Sequence, residues 1–66
     1  MSLQLLKLTE VVTKTGLSRS QIYALAQQGR FPKPIKQSER SSAWVASEVD
    51  DWIESKIQIR DQEAAR

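Results

Sequence analysis

The sequence predicts a mainly α domain: three helices carrying one small β-hairpin. Three observations point to it. Ser18 and Gln21 have the spacing of a reciprocal helix cap ahead of an apolar stripe. Pro32 and Pro34 forbid helix in the middle of the chain and bias their predecessors to extended backbone. Val49, Trp52, Ile53 and Ile57 then recur at i, i+3, i+4 and i+8, an amphipathic helix.

The elements follow in order. Leu6 and Leu8 alternate with Lys7, as in a short extended segment with one buried face. Thr9 is placed to cap a first helix over 9–15, with Glu10 in its first turn, Lys14 in its last and Gly16 as its stop. Ser18 opens a second helix over 18–28, whose stripe is Ile22, Leu25 and Ala26, and Gly29 ends it. Only Thr15-Gly16-Leu17 lies between the two, which makes a helix-turn-helix pattern. Strands are expected over 35–37 and 43–45. The polar stretch 38–42 between them lacks the Gly or Asn-Gly of tight turns, so a longer, looser loop is expected. Ser47 should cap a third helix over 47–58, with Glu48, Asp50 and Asp51 at its positive end. Residues 1–58 would then form the domain, and residues 59–66, which have no apolar period, a frayed polar tail. Trp44 and Trp52 could be a base-stacking platform, but a domain this small needs both, with Phe31, for its core, and core is the reading adopted.

Composition narrows function. A chain of 66 residues holds one small core. It has no cysteine and no histidine, which removes thiolate zinc sites, disulfides, cysteine nucleophiles and the commonest general base. No enzymatic activity, metal, cofactor or small-molecule substrate is expected. No run approaches the length of a membrane span, and the first residues do not resemble a secretory leader, so a cytoplasmic location is expected.

The net charge is +2, but its distribution says more. Residues 1–45 carry seven basic residues (Lys7, Lys14, Arg19, Arg30, Lys33, Lys36 and Arg40) against Glu10 and Glu39. Residues 46–66 carry three basic residues against six acidic ones. A basic body followed by an acidic last third suggests one face that meets a polyanion.

The order helix, turn, helix, hairpin, helix resembles a winged helix-turn-helix of the MerR-like or excisionase-like kind. The residue blocks resemble, more narrowly, the AlpA family of prophage transcriptional regulators. They are Leu6-Lys7-Leu8-Thr9-Glu10-Val11, the run from Thr15 to Tyr23, the run from Gly29 to Lys36, Ala43-Trp44, and the run from Ser47 to Ile53. The resemblance implies a small phage- or prophage-encoded DNA-binding regulator; some relatives act as excisionases. The chain departs from it at the wing, where relatives often carry Gly before an Arg and this sequence reads Gln37-Ser38-Glu39-Arg40. Glu39 would face phosphates there and work against close insertion of the wing.

A recognition helix turns its outer face to the major groove. That face offers Arg19, Ser20, Tyr23 and Gln27 as base-reading candidates. Ser18 at the helix start, with Arg30, Lys33, Lys36 and Arg40 around the wing, are the phosphate-binding candidates; Lys7 and Lys14 add further positive charge. Arg19 could instead be a solvated first-turn residue, and Tyr23 a core-edge residue with its hydroxyl outward. The expected partner is duplex DNA. The alternatives are an excisionase-type bending factor or, in a different class, a protein–protein adaptor using the acidic third helix. One recognition helix cannot select a genomic site alone, and no heptad repeat supports a coiled-coil dimer. A monomer in solution that assembles cooperatively on DNA is therefore expected.

Overall fold

The structure is a computed structural model that describes residues 3–64. Strand β1 (Leu5–Lys7) leads into helix α1 (Leu8–Thr15), then helix α2 (Arg19–Gln27), strands β2 (Ile35–Ser38) and β3 (Ser41–Val45), and helix α3 (Ala46–Ala64). Three helices and a small antiparallel sheet are the architecture that the sequence predicts.

The sheet has one strand more than the expected hairpin. Its order is β1-β3-β2, both pairings antiparallel, with Leu6 opposite Trp44 and Ile35 opposite Ala43. The ladder continues past β3, where the Ala46 N–H donates to the Gln4 carbonyl at 2.8 Å. That bond joins strand to helix without a loop, so Ser47 sits inside the first turn of α3 and is not its cap. Thr9 is likewise inside α1, whose N-cap is Lys7; the Glu10 carboxylate accepts the Lys7 N–H at 3.0 Å.

The wing also departs from expectation. Ser38 and Ser41 pair directly, so the connection is a tight turn of Glu39 and Arg40, not a loose loop. The register shifts between Lys36 and Ser38, and no non-glycine residue among those described takes a positive φ. A bulge at Gln37 therefore absorbs the strand twist that a Gly-containing turn would otherwise match.

Helix α3 continues through residues that the sequence reading gave to a frayed tail, as far as Ala64; residues 65 and 66 lie outside the described ones. The stretch holds good helix formers and no Gly or Pro. The missing apolar period meant that the segment packs on nothing, not that it leaves the helix. Residues 54–64 are all exposed, and the longest dimension of the molecule is 47 Å.

The core is Leu6, Val11, Ile22, Ala26, Phe31, Trp44, Ala46 and Val49. Trp44 is fully buried, and its Nε1–H donates to the Pro32 carbonyl at 3.0 Å. Trp52 is half-buried at the rim of the core. Its Nε1–H donates to the Arg30 carbonyl at 2.8 Å, and its ring meets Phe31 edge-on at 4.9 Å. The two indoles thus hold the chain on either side of buried Phe31 and fix the path from α2 into the wing.

Trp44→Ala should cost ~3–5 kcal/mol, comparable to the whole stability of so small a domain, and leave the chain largely unfolded at 37 °C. Trp52→Phe keeps a ring against Phe31 but loses the bond to Arg30, and should cost about 1 kcal/mol. Urea denaturation followed by circular dichroism checks both.

Candidate nucleic-acid interface

The exposed face of α2 is positioned by bonds local to the helix-turn-helix. Thr15 Oγ1 donates to the Val11 carbonyl at 2.7 Å and accepts the Leu17 N–H at 3.2 Å. Gly16, at φ 76°, donates its N–H to the Val12 carbonyl at 2.8 Å. The left-handed conformation at Gly16 is strained for any residue with a Cβ and reverses the chain here. Ser18 then caps α2 reciprocally. Its Oγ accepts the Gln21 N–H at 3.2 Å, and Gln21 Oε1 accepts the Ser18 N–H at 2.9 Å. At the far end, the Arg30 N–H donates to the Leu25 carbonyl and the Gly29 N–H to the Ala26 carbonyl, a Schellman closure with Gly29 at φ 74°.

Ile22 and Ala26 turn into the core, so Ser20, Tyr23, Ala24 and Gln27 remain exposed with Arg19. Two shallow concavities flank α2 on the wing side. The first is lined by Lys7, Leu8, Thr9, Arg19, Tyr23, Gln37, Arg40, Ser41 and Ser42. The second is lined by Tyr23, Ala26, Gln27, Lys33 and Pro34. Tyr23 borders both, 46% exposed, with its ring edge-on to Trp44 at 5.8 Å. The structure thus brings together Arg19, Tyr23 and Arg40, and, further along, Gln27 and Lys33. Lys36 lies opposite Ser42 in the wing.

Two of the cations behave differently. Arg30 lines a separate concavity with Glu48, Asp51 and Trp52, so it is not grouped with the wing cations. Lys14 pairs with Asp50 of α3 at 2.6 Å. Among the described residues, neither Lys7, Arg19, Lys33, Lys36 nor Arg40 makes an ion pair. The sequence offers Lys7 as one of several cations able to meet phosphates, without placing it at the wing. Its place just ahead of a helix start was the available clue, but the pairing of β1 with β3 is what carries it to the wing.

Residues 4–57 match the family model described as "Prophage CP4-57 regulatory protein (AlpA)". The chain belongs to the AlpA family. The AlpA match spans every element that frames the two concavities and ends within α3. The chain is 40% identical over 52 residues to the "Uncharacterized protein ORF88" of Enterobacteria phage P4, covering 79% of this chain and 59% of that one. It spans, therefore, little more than half of that phage relative. It is 27% identical over 64 residues to the "DNA-binding transcriptional activator AlpA" of Escherichia coli strain K12, covering 88% of this chain and 91% of that protein.

The Lys14–Asp50 pair is largely solvated, its side chains 37% and 57% exposed. Lys14→Ala should therefore destabilise the AlpA-family domain by less than about 1 kcal/mol, and the difference should shrink in high salt. Thermal denaturation at two ionic strengths measures it.

Proposed function

We propose that the chain is a sequence-specific DNA-binding regulator of transcription from prophage or mobile-element genes, acting in the cytoplasm. Helix α2 enters the major groove, and the β2–β3 wing rests on the adjacent backbone. One observation carries the reading: Lys7, Arg19, Lys33, Lys36 and Arg40, none of them in an ion pair among the described residues, lie on the α2 and wing side, while Glu48, Asp51 and the paired Asp50 belong to α3. Phosphate binding needs positive charge free to meet it, and a charge tied to a carboxylate contributes little. Membership of a family named for a prophage regulatory protein supports the same conclusion, as does the printed role of the Escherichia coli relative.

Ser20 and Gln27 lie on the outer crest of α2 and offer donors and acceptors to base edges. Lys7, Lys33, Lys36 and Arg40 supply charge to the backbone. A module of this size contacts too few base pairs to find its operator alone, so copies assemble on neighbouring sites. Ile57 and Ile59 are exposed on α3, but two apolar residues do not make the heptad seam of a stable dimer.

If Lys7, Arg19, Lys33, Lys36 and Arg40 each neutralise a phosphate of their own, log K should fall with log salt at a slope of roughly −4 to −5, and less steeply where several share one phosphate. Gln27→Ala and Ser20→Ala should relax sequence preference, whereas Lys36→Ala should weaken binding to all duplexes alike. Filter binding on selected and scrambled duplexes reads both. Absence of duplex binding at low salt would leave the adaptor reading instead.

Assembly has its own readout. Sedimentation without DNA should return one chain mass, and gel shifts on a fragment with adjacent sites should show a Hill coefficient above one.

A further inference from the structure

The outer surface of α2 is not one face but two, and the residues on them are suited to different parts of a duplex. At about 100° per residue, Arg19 lies only about 20° around the helix axis from Ala26, which is buried. Ser20 and Gln27 lie a further quarter-turn or so round, close to opposite the buried stripe. Arg19 is therefore on the flank of α2 that looks toward the wing, and it lines the same concavity as Lys7 and Arg40. Tyr23, on the same flank, adjoins both this concavity and the next one along, which Gln27 and Lys33 border. Together the two hollows form a trough between α2 and the wing, with cations at both ends and a tyrosine between them held edge-on against buried Trp44.

A helix in the major groove presents its crest to base edges, and its flanks to the two walls of the groove, which are phosphate backbone. The wing beyond the trough reaches the far side of one such wall. We propose that the trough is the path of one DNA strand's sugar–phosphate backbone, and that Arg19 grips a phosphate there jointly with Lys7 and Arg40 rather than reading a base. Tyr23 is the floor against which the sugar packs. Base reading then falls to the crest, to Ser20, and to Gln27 where the crest meets the far end of the trough. The three cations come from the β1–α1 junction, the first residue of α2 and the tip of the wing, so one phosphate ties the reading helix to the wing. This inference rests on the DNA-binding reading above but assigns to Arg19 a role that the reading alone leaves open.

The test uses the full chain, with preferred duplexes selected from a random pool by the unaltered protein. Arg19 is exposed, so variants there should fold, and unchanged thermal transitions would document it. Arg19→Ala should weaken preferred and scrambled duplexes by the same factor, within about twofold, and make the salt slope shallower by less than the about 0.9 of a whole lost phosphate contact, because Lys7 and Arg40 still meet that phosphate. Arg19→Lys should recover most of the lost affinity with the same preference, because a phosphate accepts either cation whereas a bidentate base contact does not. Replacing phosphates one at a time with uncharged methylphosphonates should reveal one position whose neutralisation weakens the unaltered protein more than it weakens either Arg19→Ala or Arg40→Ala. A changed sequence preference in Arg19→Ala, or the absence of any phosphate shared by Arg19 and Arg40, would overturn the proposal while leaving DNA binding intact. Failure of the unaltered protein to bind any duplex would instead overturn the reading on which it rests.

Discussion

Two indole N–H groups hold the segment between α2 and the wing, and the candidate interface depends on that grip. Trp44 bonds to the Pro32 carbonyl and Trp52 to the Arg30 carbonyl, with Phe31 buried between them. The segment holds Pro32 and Pro34 and belongs to no helix or strand, so its own backbone offers no ladder to position it. The side chains supply the missing constraint. Because Trp44 also stands in the central strand and touches Tyr23 on α2, one residue couples the core, the wing and α2. The distance across the trough is set there.

A second constraint is the division of charge. Phosphate binding needs cations that are not already neutralised. Here Lys14 is spent on Asp50, and Arg30 shares a hollow with Glu48 and Asp51, both on the side where α3 begins. Five cations without an ion-pair partner among the described residues, Lys7, Arg19, Lys33, Lys36 and Arg40, lie along α2, the β1–α1 junction, the approach to the wing and the wing itself, whereas Lys56 sits over the Trp52 ring on α3. The acids at the start of α3, Glu48 in its first turn and Asp50 and Asp51 just beyond, thus do two things. They favour the positive end of their own helix, and they neutralise positive charge that would otherwise spread around the molecule. What remains has a direction, which a net charge of +2 does not convey.

The local parts of this arrangement were legible in the amino-acid order. The Ser18–Gln21 cap closes over three residues, and the glycine stops at Gly16 and Gly29 require only the backbone freedom of glycine. The exposed crest of α2 follows from helical periodicity once Ile22 and Ala26 are buried. Arg19 and Tyr23 are legible from that periodicity and Arg40 from the charge of the wing, though not their meeting in one hollow. The errors came where no local rule decides. Ser47 and Thr9 look like caps, yet each helix starts earlier because strand β1 pairs with β3 and supplies the Gln4 carbonyl to Ala46. The wing turn was expected to be loose because it lacks glycine, and a bulge at Gln37 solved the same geometric problem differently. The last turns of α3 read as a tail in the sequence because periodicity reports burial, and a helix can project into solvent without it.

The sequence by itself determined the helix-turn-helix, the capped start of α2, the prolines that break the helical run, and an excess of positive charge ahead of an acidic helix. Each rests on neighbours within one or two turns, where backbone sterics and short hydrogen bonds act. Only the tertiary structure decided that Lys7 stands beside Arg19 and Arg40, that Lys14 is neutralised by Asp50, and that the indoles of Trp44 and Trp52 anchor the same short segment from two sides. Those facts join residues far apart in the chain. They depend on which strand edge β1 finds and how the core closes around Trp44, and no periodicity or spacing encodes either.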